Sequence, residues 1–149
     1  MKFIIQPYVG ALPISFGLEP PVVQNIFSDE PKTSINSLGE YVEFYGAVNV
    51  IYCADKRKVV EIGFAPKLVD LEFDGIQLFG SDGNANPLSI LYSIDPNPVE
   101  TYGFILFNKI GVSVTGFHDG NDSQKAVTVY SAGRWDEDLE DAKPFFWNV

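Results

Sequence analysis

The sequence predicts an α+β domain: one curved, mostly antiparallel sheet with two short helices on one face. Three observations lead there. Apolar and polar residues alternate over several short runs, among them "EYVEFYG", "VVEIGFA" and "KAVTVYSAG". Two proline-initiated segments, "LEPPVVQNIF" and "NANPLSILYSI", space their apolar residues as helices do. Turn residues such as Asp74-Gly75 and the loop "DGNDSQ" separate the strands at short intervals.

Taken in order, Phe3-Ile4-Ile5 opens a first strand that Pro7 stops, and "ALPISFG" is a short extended segment ending at Gly17. Val22, Val23, Ile26 and Phe27 form the apolar side of the first helix. Glu19 and the prolines suit its first turn, and Asp29-Glu30-Pro31 ends it. "TSINSLG" reads as loop. Tyr41, Glu43 and Tyr45 alternate along the next strand, "AVNVIYCA" follows, and the charged turn Asp55-Lys56-Arg57-Lys58 leads back into "VVEIGFA" as a hairpin. Strict alternation is expected from Leu68 to Phe73, ahead of the tight turn at Asp74-Gly75. Asn86 and Pro87 supply the cap and first residue of a second helix. "YGFILFN", "GVSVTGFH" and "KAVTVYSAG" are three further strands, the last two joined through "DGNDSQ".

This order suggests an internal duplication. Residues 12–66 and 75–133 each run through Phe-Gly, a helix, an extended aromatic segment and a hairpin, with Phe16-Gly17 and Phe79-Gly80 at matching places. No low-complexity linker divides the chain, so residues 1–149 read as a single domain.

Hydrophobic residues make up 46% of the 149 and aromatic residues 14%, ample for a buried core. Acids outnumber bases 20 to 10, giving a net charge of −10, and Lys56-Arg57-Lys58 is the only basic cluster. Phosphate contacts dominate nucleic-acid affinity, so this balance argues against nucleic acid and anionic membrane and toward basic proteins. The lone Cys53 permits no internal disulfide, which fits a reducing compartment. No apolar run approaches the ~20 residues of a membrane helix, and the opening residues lack a signal-peptide core. A cytoplasmic protein is the expectation.

No catalytic set emerges. His118 is the only histidine, in the loop "GFHDGNDSQ", and Cys53, the only thiol, is expected inside an apolar strand. "GVSVTG" around Ser113 lacks the final glycine of a nucleophile elbow. Asp82, Asn84 and Asn86 begin with calcium-loop spacing, but Pro87 and Ser93 stand where the turn glycine and the bidentate Glu belong. Glu40, Glu43, Glu61 and Glu72 read as the solvated side of strands. We expect no enzyme, no cofactor and no metal.

The end of the chain carries the clearest surface signal. Five acids, Asp136, Glu137, Asp138, Glu140 and Asp141, lie between Trp135 and the run Phe145-Phe146-Trp147. Two readings stay open. The acids are a solvated face with the aromatics docking the end of the chain into the core, or both together receive a basic partner, with aromatics as anchors and acids as steering charge. Asp119 and Asp122 in the "DGNDSQ" loop extend the second surface.

The stretch "YVGALPISFGLEPPVVQNIFSDEP" resembles the opening of small bacterial immunity proteins that accompany polymorphic or contact-delivered toxins. Phe16, Gly17, Val22, Val23, Ile26, Phe27, Glu30 and Pro31 carry the likeness, while Asp29 stands where such proteins have Gly. The doubled helix-and-hairpin pattern also looks like inhibitors that bind an enzyme across a concave sheet. The resemblance implies a cytoplasmic immunity or inhibitor protein that neutralises a cognate, basic toxin, and transfers no binding residue. The alternatives are a non-inhibitory interaction or scaffold module, and a small ligand-binding protein or enzyme.

Overall fold

Alternation buries one side of each strand, and the computed structural model, which describes residues 1–66, 70–82 and 84–147, shows where those sides meet. In chain order the elements begin with β1 (Lys2–Gln6), β2 (Gly10–Leu12), β3 (Ile14–Ser15), α1 (Pro20–Ile26), β4 (Lys32–Ile35), β5 (Tyr41–Tyr45), β6 (Val48–Tyr52) and β7 (Val59–Phe64). They continue with β8 (Asp70–Phe73), β9 (Ile76–Gln77), α2 (Pro87–Ile94), β10 (Val99–Thr101), β11 (Phe104–Phe107) and β12 (Val112–Thr115). A 3₁₀ turn (Asp122–Gln124), β13 (Ala126–Tyr130), α3 (Asp136–Leu139) and β14 (Lys143–Pro144) complete the chain.

The protein is mostly β, with two sheets where the sequence predicted one, and neither sheet is curled or closed. The smaller has five strands in the order β3-β2-β1-β8-β9 and is mixed, because β1 and β8 run parallel with Phe3 beside Leu71. The larger is antiparallel, with nine strands in the order β14-β10-β11-β12-β13-β7-β6-β5-β4. A second sheet arises because the N-terminal hairpin pairs with the β8–β9 hairpin rather than extending the long sheet. Strand alternation alone does not say which strands pair.

One core joins these layers. Phe3, Ile5, Leu71 and Phe73 come from the small sheet, and Val50, Ile62, Phe64, Val112, Val127 and Val129 from the large one. Val23 of α1 and Leu88 and Leu91 of α2 enter the same core. Helix α2 starts as expected: the Asn86 side chain accepts the Leu88 N–H at 3.0 Å, and Pro87 occupies the first turn, where no N–H is needed. Helix α1 lacks such a side-chain cap and stops at Ile26, short of Asp29-Glu30-Pro31. Tyr8, between β1 and β2, reaches the large sheet. Its ring covers Gly111, where an added Cβ would lie 3.1 Å from it, and its hydroxyl donates to the Asn108 carbonyl.

Within residues 12–66, α1 precedes the meander β4–β7; within 75–133, α2 precedes the meander β10–β13. The two meanders meet along β7 and β13, which pair antiparallel from Phe64–Val127 to Glu61–Tyr130.

Other expectations need correction. "TSINSLG" is loop only in part, since Lys32–Ile35 is an edge strand on β5. A third helix, α3, forms within the acidic run. Cys53 lies just past the end of β6, in the turn before β7, and its sulfur accepts the Lys58 N–H. The alternation expected from Leu68 begins outside the described residues; from Asp70 on it holds, with Leu71 and Phe73 buried. Asp74 and Gly75 do form the tight turn, with φ of 52° and 82°, both positive as a two-residue hairpin with right-handed twist requires.

Candidate partner-binding face

One face of the nine-stranded sheet meets the core, and register defines what the other presents. A row runs across the strands through Phe44, Asn49, Gly63, Thr128, Ser113 and Leu106. The next row holds Val42, Ile51, Glu61 and Tyr130. Beside the first row lies an open cleft of about 340 Å³ with Phe44 and Phe104 at its ends and Asn49, Gly63 and Thr128 in its floor. Gly63 leaves room for the Asn49 side chain: a Cβ there would come 2.1 Å from the Asn49 side-chain oxygen, which would have to move aside.

The segment after β13 covers part of this outer face. The Ser131 N–H donates to the Val60 carbonyl. Arg134 then forks onto the Glu40 carboxylate with both terminal nitrogens, Nη2 at 2.9 Å, and its Nε donates to Glu61 at 3.2 Å. Trp135 packs against Phe104, with ring centroids 5.0 Å apart, and Tyr130, at 6.3 Å. Its indole N–H is buried without a hydrogen-bond partner. Trp135 is thus a half-buried wedge that seats the segment on the sheet.

Helix α3 follows directly. Its first turn holds Asp136, Glu137 and Asp138, where the helix dipole favours negative charge. Asp136 and Glu137 are exposed, as are Glu140 and Asp141 beyond it, while Asp138 is half-buried. Like charges four residues apart oppose so short a helix, so its position depends on the anchors at either end. The second anchor is β14, which pairs with β10 through Pro144–Val99 and Lys143–Glu100. Phe145 and Trp147 then pack against the core.

The "DGNDSQ" acids divide. Asp122 pairs with Lys125 at 2.8 Å, which holds its carboxyl below the usual range. Asp119 accepts the Asn121 N–H and lies 3.9 Å from His118 Nε2, which is 3.6 Å from the Glu100 carboxylate. Glu100 in turn borders a cleft of about 250 Å³ with Thr101, Tyr102, Asp141 and Lys143. Asp141 thus shares a cleft with Glu100 and the 78% exposed Tyr102, whereas Asp119 is linked to Glu100 only through His118. His118, which the sequence placed only in a loop, is largely covered: 14% of its side chain is exposed, and it packs edge-on to Phe145. Sequence reading missed Glu100 and Tyr102, although "VETYGF" sets an acid and an aromatic beside a turn glycine.

The strand acids also differ from expectation. Glu40 and Glu43 are buried. Glu43 accepts hydrogen bonds from the Tyr41, Tyr45 and Tyr52 hydroxyls and from the Gln24 amide. Burial and the Glu43 charge push all three phenols above their usual range. Glu40 is held below its usual range by Arg134, whereas burial raises Glu61. Glu72 pairs with Lys2 at 3.0 Å.

Chemically, the cleft beside Tyr102 offers carboxylates and aromatic surface to a cation. Among the described residues no group of three or more His, Cys, Asp and Glu is placed to hold a metal ion, and no helix is long and apolar enough to cross a membrane. No protein-family model, curated protein or solved structure matches the chain.

Proposed function

We propose that this chain is a cytoplasmic immunity or inhibitor protein that binds and neutralises a cognate, basic bacterial toxin without a cofactor. The observation that carries the reading is the fixed acidic segment. Asp136, Glu137, Glu140 and Asp141 are exposed on a stretch anchored by Arg134 and Trp135 before it and by β14 after it. Charges held in place cost little ordering entropy on binding, so they favour encounter with a basic surface more than a loose tail would. Tyr102 supplies aromatic contact area beside Asp141. The net charge of −10 supports the same class of partner. The common order of helix and four-strand meander supports reading the two halves as repeats of one ancestral unit.

The test neutralises the segment. A variant with Asp136→Asn, Glu137→Gln, Asp138→Asn, Glu140→Gln and Asp141→Asn should protect cells poorly against the cognate basic toxin. It should associate more slowly with that toxin in stopped-flow measurements, with a flatter salt dependence. Exposed charges contribute only ~0–1 kcal/mol each to folding, so the melting temperature should change little. Unchanged association at both low and high salt would remove the segment from the interface.

A further inference from the structure

The nine-stranded sheet ends differently on its two sides. One edge is β14, two residues long, whose Pro144 has no N–H to offer. The other is β4, four residues long and exposed throughout. It pairs with β5 without a bulge, and among the described residues nothing pairs with its other side. Parity shows which backbone groups are left over. The Asn36 N–H donates to the Glu40 carbonyl, and in an antiparallel ladder such bonded pairs recur at every second residue. Lys32 and Ser34 therefore turn their N–H and C=O groups toward β5, and Thr33 and Ile35 turn theirs outward. An outward row of this kind is a template for a further strand.

We propose that β4 pairs antiparallel with β4 of a second copy of this chain, joining two long sheets about a two-fold axis at Ser34. The strand is complementary to itself. With Ser34 on the axis, Thr33 of each copy lies opposite Ile35 of the other, and these two outward residues exchange hydrogen bonds in both directions. Other registers lose bonds. Centred on Thr33, the pairing sets Ile35 against Pro31, which has no N–H. Centred on Ile35, it sets Thr33 against Ser37, where the chain already turns back, with the Gly39 N–H on the Asn36 carbonyl. The Ser34 register also places no like charges face to face: Lys32 meets Asn36, and the 57% exposed Ile35 gains the β-branched Thr33 as its neighbour. A second copy brings its edge already extended, so pairing orders little, whereas a loose segment of another protein would have to order first. The negative charge of the chain lies elsewhere. Glu30 falls opposite Leu38, which leaves the Glu30 residues of the two copies about 26 Å apart, beyond the ~8 Å screening length of physiological salt. The acids from Asp136 to Asp141 run toward β14, at the far end of the strand order. One short ladder buries less than the ~1,200 Å² of a stable interface, so the dimer is weak and reversible. The inference needs neither the acidic segment nor a toxin, and it stands or falls separately from both.

The full chain is examined by sedimentation equilibrium from ~10 μM to ~1 mM, at low and high salt. The average mass should rise from 16.5 kDa toward that of a dimer, and more readily at high salt, which screens the net charge. Amide hydrogen exchange supplies the signature of the register: Thr33 and Ile35 should slow as concentration rises, while Lys32 and Ser34, already bonded to β5, should not change. Ile35→Pro deletes an outward N–H, which an edge strand tolerates, and should weaken association by about tenfold or more with little change in melting temperature. Ile35→Lys, at an exposed position, should do the same by setting charge on the edge without touching the β5 ladder. A monomer at every concentration, a dimer whose Thr33 and Ile35 amides exchange as in the monomer, or a dimer undiminished by Ile35→Lys would each overturn the proposal. Protection of these amides only when another protein is added would likewise overturn it and assign the edge to that protein's strand.

Discussion

Glu40 and Glu43 stand three positions apart and are both buried, yet they are held in opposite ways. Glu43 is surrounded by neutral donors from β5, β6 and α1, all close to it in sequence. Glu40 accepts from one neutral neighbour, the Asn36 amide at 3.0 Å, but its charge is met by a cation from 94 residues away, which it shares with Glu61. The first arrangement ties a helix to the sheet from inside. The second ties the C-terminal segment down from outside, and with it the acids proposed to meet a partner. A buried carboxylate satisfied by neutral hydrogen bonds reinforces one place, whereas one satisfied by a distant cation couples two.

Four variants put that contrast to the test. The largest loss should come from Arg134→Ala, which leaves Glu40 and Glu61 without their cation. Breaking such a pair costs about 3–5 kcal/mol, and residues 131–147 should exchange their amide hydrogens much faster while α1 stays protected. Trp135→Ala should cost about 2–3 kcal/mol of folding stability by denaturant titration, less than a fully buried tryptophan because the side chain is half-buried. Glu43→Gln keeps the shape but presents its NH₂ to a shell of donors. It should cost about 1–2 kcal/mol, with faster exchange in α1 and none at the C-terminal segment.

The smallest effect is in pH dependence. Arg134 depresses the Glu40 pKa, so the stability from this contact is present above the ordinary value of 4.5 and is lost as pH falls through the lowered one. Glu61, raised by burial, acts the other way: its contribution is present at low pH and declines as pH rises through the raised value. Glu40→Gln should therefore flatten the acid limb of a stability–pH curve and leave the Glu61 limb in place. An unchanged acid limb would show that Arg134 draws its hold from Glu61 alone.

Much of the fold was legible from the residues. Alternation located β5 to β7 and β11 to β13, and the Asn86-Pro87 pair located the start of α2, because these signals are local. Division into two sheets was not legible, since the parallel β1–β8 pairing joins residues far apart in sequence. The edge strand β4 was hidden because all four of its residues are exposed and show no alternation. Glu43 looked like a solvated strand acid because it alternates between Tyr41 and Tyr45. That both tyrosines sit two residues away, on its own side of the strand, was the overlooked signal that they could serve as its donors. At the candidate site, the acids from Asp136 to Asp141 stood out from charge alone, but the anchoring role of Arg134 depends on partners 94 and 73 residues earlier.

The seam between β7 and β13 also sets an order of events during synthesis. When β7 leaves the ribosome, β6 is already there to pair with it, but its other edge and the Glu40–Glu61 pair have no neighbours until Tyr130 and Arg134 emerge. The nascent first half thus carries an open strand edge and two uncompensated acids while the chain is made from Phe64 to Arg134. Pairings this distant form slowly, and waiting edges invite wrong partners. Glu61 places a charge on that open edge, the kind of residue that discourages edge-to-edge pairing until the second half arrives.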